Sequence, residues 1–125
     1  MRKIKQLIKD LEVLNKNYLE LTSWEFEDIN TEEDLENQNE RDIKAGKLFV
    51  DFYNNKFVPE YSESKKIPKE ILGKIERYIA YLSSTASMYI EKKNFFGLGV
   101  LLTDMGSKIS DPNNLEKFIQ DLKKN

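Results

Sequence analysis

The chain has 125 residues, 34% charged and 39% hydrophobic, with a formal net charge of −2. That size and balance point to one soluble globular domain that buries roughly two thirds of its unfolded surface without covalent or metal staples. It has neither Cys nor His, which excludes disulfides, thiolate zinc sites, cysteine nucleophiles and imidazole acid–base chemistry. No cofactor and no metal are expected.

The basic start, Met1 to Lys5, leads into Lys9, Asp10 and Glu12 rather than into an apolar run of signal-peptide type. The longest uncharged stretch, residues 78–90, has 13 residues, against the roughly 20 mostly apolar residues of a membrane-spanning helix. A cytoplasmic location is the expectation. Within the first segment, Ile4, Leu7, Leu11, Leu14, Tyr18 and Leu21 step by 3, 4, 3, 4 and 3, and Ile8 widens the stripe. This is the period of an amphipathic helix. Its three heptads also fit a coiled-coil seam, but the broader face favours packing in a bundle.

Charge is distributed unevenly. Residues 23–42 contain nine carboxylates and one Arg, a local net of −8, so the rest of the chain carries +6. Trp24, Phe26 and Ile29 are not spaced as a helix stripe, and Glu25, Glu27 and Asp28 separate them. Thr31 followed by Asp34 reads as a capping box, with acids in the first turn where the helix dipole favours them. A second helix therefore starts near Glu32, with Leu35 early on its apolar face. Ile43, Gly46, Val50, Tyr53 and Phe57 continue the period beside a second stripe of Ala45, Phe49 and Phe52. Residues 47–53 (KLFVDFY) alone are also compatible with a short strand.

Asn54-Asn55 reads as the helix end, and residues 56–66, with Pro59, as a loop. Pro68 opens a third helix marked by Ile71, Ile75, Tyr78, Leu82 and Tyr89. Its uncharged second half, residues 78–90, predicts a central helix buried on several sides. Asn94 caps a fourth helix carrying Phe95, Leu98, Leu102, Met105 and Ile109, with a first turn weakened by Gly97 and Gly99. Asp111-Pro112 reads as the cap and first-turn proline of a short closing helix with Leu115, Phe118, Ile119 and Leu122. The expected fold is all-α, an antiparallel bundle of four to five helices joined by short loops in a single domain, residues 1–125.

Four patterns bear on chemistry. On a helix, Glu32, Glu36 and Glu40 form one negative ridge flanked by Glu33. With Trp24, Glu25, Phe26, Glu27 and Asp28 this edge has the mixture of aromatic anchors and charge found at protein interfaces. The competing reading is a solvated helix face beside an acidic loop. Asp28, Asn30, Glu32 and Asp34 alternate as the early ligands of a calcium loop do, but Glu33 stands where that loop needs Gly and Asn39 where it needs Glu. Gly97-Leu98-Gly99 lacks the preceding strand and third glycine of a dinucleotide-binding turn. Lys65, Lys66, Lys69, Lys74 and Arg77 form a basic cluster whose excess is modest for phosphate-backbone binding, so solubilising lysines are the better reading.

Together these patterns predict a non-enzymatic binding protein of inhibitor or immunity type. Its acidic edge would occupy a basic site on a protein partner such as a toxin or nuclease, with neither nucleic acid nor membrane as ligand. The alternative is a structural or regulatory module that self-associates through its first helix.

Overall fold

The computed structural model describes residues 2–22, 30–107 and 114–124. Within them the chain folds into an all-α bundle: α1 (Arg2–Thr22), α2 (Glu32–Phe52), a one-turn α3 (Val58–Glu60), α4 (Lys69–Glu91), α5 (Phe95–Ser107) and α6 (Leu115–Lys123). Residues 47–53 are helical, and no strand occurs among the described residues.

The predicted seam of α1 is the inner face of the bundle. Leu7, Leu11, Leu14 and Tyr18 are buried, and Ile4, Ile8 and Leu21 pack partly buried at its edges. Tyr18 serves two neighbours: its ring meets Phe49 edge-on at 5.6 Å and its hydroxyl donates to the carbonyl of Leu102. A buried phenol thus satisfies its polar tip while its ring fills the core.

The centre of the bundle is α2, which packs against α1, α4 and α5. The small Ala45 and Gly46 permit this. A side chain on Gly46 would meet Ile90 at 3.2 Å, Leu98 at 3.3 Å and Ala86 at 3.4 Å. The uncharged half of α4, expected to be buried on several sides, keeps one face open to solvent. Ile79, Leu82, Ser83 and Ala86 face inward, whereas Tyr81, Ser84, Ser87 and Met88 are exposed. Hydroxyls and an amphipathic tyrosine give a face without charge that is still at home in water.

The helix end expected at Asn54-Asn55 and the loop expected over 56–66 are also displaced. Beyond Phe52 the chain widens into a π-helical turn (Tyr53–Phe57) and then regains one α-turn through Glu60. Pro59 supplies a cause: in an α-helix its ring collides with the carbonyl four residues back and it has no N–H to donate. The wider turn also brings Phe57 onto the buried face already carrying Phe49 and Phe52. The following turn is anchored by Tyr61 and Ile67, both buried. The Tyr61 hydroxyl donates to Asp10 on α1, and Lys56 lies 3.8 Å from the same carboxylate and 3.3 Å from Glu60. Burial and the adjacent Asp10 carboxylate push the Tyr61 phenol well above its ordinary value.

Two helix junctions follow capping rules closely. The α4–α5 corner is a Schellman turn, with Lys93 at φ 56. The N–H groups of Lys93 and Asn94 donate to the carbonyls of Ile90 and Tyr89 at 3.2 and 2.9 Å. Asn94 then caps α5, accepting from the Gly97 N–H at 3.0 Å. Gly97 is required by contact, because a Cβ there would lie 2.7 Å from the Tyr89 ring. The closing helix is capped by Asn114, which accepts from Lys117 N–H at 2.9 Å. The predicted cap and proline, Asp111-Pro112, lie outside the described residues.

Candidate functional site

The acidic edge divides at residue 30. Its first part, Trp24, Glu25, Phe26, Glu27 and Asp28, lies outside the described residues. The second part is the N-terminal half of α2. Thr31 and Asp34 form the predicted capping box. The Asp34 N–H donates to Thr31 Oγ1 at 3.0 Å, while Asn30 and Thr31 N–H groups donate to Asp34 Oδ2 at 3.1 and 3.2 Å. This fixes the start of the helix and consumes Asp34 structurally. Three backbone donors are thereby satisfied, a negative charge sits at the positive end of the helix dipole, and the face presented by the next turns is set.

That face points outward. Glu32, Glu33, Glu36 and Glu40 are all exposed, and no hydrogen bond or ion pair joins any of the four to another described residue. At 1.5 Å of rise per residue, the ridge carries a carboxylate about every 6 Å and runs about 12 Å from Glu32 to Glu40. Leu35 lies beside it and is 49% exposed, a correction to its expected place on the apolar face. The reason is the absence of such a face at this end. No residue from 32 to 41 is buried, whereas Asp42, Ala45, Gly46, Phe49 and Phe52 are. The core begins only at Asp42, and the first half of α2 is a rod of carboxylates with one large apolar side chain.

Two parts of the arrangement escaped the sequence reading. Asp42, counted among the nine acids, is buried towards α5, with an oxygen 3.6 Å from where a Cβ on Gly99 would stand, so it adds nothing to the outer surface. The outward turn of Leu35 was readable in principle, because no apolar residue separates it from Ile43. A helix stripe with that gap has no second point of attachment to a core.

Of the calcium-loop alternation, Asp28 lies outside the described residues. Asp34 is engaged in capping, Glu32 faces solvent, and no group of three or more acidic side chains able to hold a metal ion occurs among the described residues. Nor does any described helix have the length and apolarity to cross a membrane. Open grooves lie elsewhere, one of about 640 Å³ between α1 and α6, crossed by the Lys123–Glu12 ion pair at 3.2 Å, and one of about 500 Å³ between α4 and α6. The acidic rod belongs to neither lining and forms an open, exposed surface. No protein-family model, curated protein or solved structure matches the chain.

Proposed function

We propose that this is a cytoplasmic, non-enzymatic binding protein of inhibitor or immunity type, whose acidic edge blocks a basic site on a protein partner. The partner is a toxin or nuclease, whose substrate-binding groove is itself positive. The supporting observation is the first half of α2: four exposed carboxylates without partners among the described residues, set around the half-exposed Leu35 on a segment that contributes no buried residue. Carboxylates left unpaired on a capped, preorganised helix steer encounter with a cationic groove, and an apolar side chain beside them supplies the contact from which water is expelled. The proposal includes Trp24 and Phe26, which precede this helix in sequence and lie outside the described residues.

The second reading, self-association through α1, has weaker support. Leu11 and Leu14, its seam, are 0% and 4% exposed within the single chain, so a partner helix reaches them only if the bundle opens.

The test is affinity capture from the native cell with the parent chain and with Glu32→Lys/Glu36→Lys/Glu40→Lys. The expected result is a basic protein retained by the parent at low salt, released as salt rises, and absent from the triple variant. The same proteins on both baits, with the variant fully folded by circular dichroism, overturns the acidic-edge reading.

A further inference from the structure

The basic cluster read from sequence as solubilising acquires new neighbours in the fold. Lys74, Arg77, Tyr78 and Tyr81 follow one another at i, i+3, i+4 and i+7, so they share one face of α4. Across from them α6 presents Lys117, Phe118 and Asp121. The two faces line the groove of about 500 Å³, a volume within the range of small-ligand sites. Its base is the Tyr78–Phe118 pair, with ring centroids 4.2 Å apart and planes at 51°. Tyr81 stands at the margin, 54% exposed, with ring surface open to solvent. Three cations face one carboxylate here, and none of the ion pairs formed among the described residues involves Lys74, Arg77 or Lys117. Asp121 and Tyr78 both hold interactions of their own.

A purely solvated lysine face needs no aromatic rings, and a purely apolar groove needs no cations. The combination matches one ligand chemistry, a flat aromatic ring bearing an anionic phosphate. We infer that the α4–α6 groove binds a nucleotide unit, with Tyr81 stacking on the base and Lys74, Arg77 and Lys117 holding the phosphate. Asp121 stands against the phosphate electrostatically and is suited to accept from a sugar hydroxyl or a base amino group. The unit is either a free nucleotide or one residue of a single strand, and both present the same chemistry to the groove. This site is separate from the acidic rod of α2, so either assignment stands or fails without the other.

Amide NMR titration of the full chain tests this with AMP, adenosine, inorganic phosphate, an eight-residue oligothymidylate and a hexaglutamate peptide. AMP or the oligonucleotide is expected to shift amides of residues 74–81 and 117–121, with affinity falling as salt rises. Tyr81→Ala is expected to weaken that binding by about 5- to 100-fold, and Arg77→Gln several-fold. These side chains are exposed, so the melting temperature should hold. AMP binding as tightly as the oligonucleotide assigns the site to free nucleotides, and a much tighter oligonucleotide assigns it to single strands. Absence of shifts with both at millimolar concentration overturns the inference. So does equal binding of hexaglutamate or inorganic phosphate, or binding unchanged in Tyr81→Ala.

Discussion

Lys93 occupies the left-handed region at φ 56, where an L side chain crowds its own backbone and glycine does not. Lys93→Gly is therefore expected to gain about 0.5–1 kcal/mol in urea denaturation, even though it removes a charge from a helix C-terminus. Gly97→Ala is expected to act in the opposite direction by about 1–3 kcal/mol, because the new methyl group lies 2.7 Å from the Tyr89 ring and overpacks the corner. Tyr61 adds a pH dependence. Its folded-state pKa is raised, first by burial and then by the hydrogen bond to Asp10. An unfolded tyrosine loses its proton near pH 10, whereas the folded one holds it. The stabilisation is therefore complete below about pH 10 and is lost as pH rises beyond that point. Tyr61→Phe is expected to cost about 1 kcal/mol at neutral pH and to flatten the alkaline fall, both read from urea midpoints across pH.

Among the secondary-structure elements, caps were more legible in the sequence than faces. Thr31 with Asp34 and Asn94 before Phe95 are local signals, decided by side chains within three residues of a backbone donor, and both form as read. For α6 the sequence points to Asp111 ahead of a proline, whereas Asn114 is the cap. Its side chain is buried at 4% exposure, and Asn114→Ala is expected to cost about 1–2 kcal/mol in thermal melts. Faces depend on what lies opposite, which no local window contains. The uncharged run of α4 reads as a helix buried on several sides, yet its Tyr81, Ser84, Ser87 and Met88 face water, since α2, the adjoining π turn and α5 are the described elements that pack most broadly against it. The apolar periods of α1 and of the second half of α2 are legible: in α1 every third or fourth residue is large and aliphatic or aromatic, and in α2 the stripe of Ala45, Phe49 and Phe52 is buried.

Over the whole molecule, charge and core are segregated along α2. From Asp42 onward it is the centre of the bundle, and before Asp42 it is an acidic rod with no buried residue. Stability and the proposed recognition therefore draw on different residues. Glu36→Gln/Glu40→Gln is expected to leave the melting temperature within about 2 °C of the parent while slowing association with a cationic partner, an effect largest at low salt in stopped-flow measurements. Leu11→Ala, at 0% exposure, is expected to cost about 2–5 kcal/mol in chemical denaturation. The ridge of the candidate site was legible in sequence because a four-residue repeat of glutamates has only one meaning on a helix. Its reach was not, because the raw count of nine acids included the capping Asp34 and the buried Asp42.

The widened turn at Tyr53–Phe57 has a consequence for how this chain tolerates changes in length. Phe52 and Phe57 are five residues apart yet share the buried face, so the turn holds one residue more than an ordinary helix needs there. Asn54 and Asn55, both exposed, are the dispensable members. Deleting Asn55, with Pro59→Ala to remove the ring, leaves a four-residue step that a regular α-helix spans in register. Phe57 and Tyr61 then keep their places against the core. Elsewhere in α2 a single deletion rotates every later side chain by about 100°. Here the helix has slack of one residue, and the double change is expected to keep a cooperative thermal melt where a deletion elsewhere in the helix abolishes it.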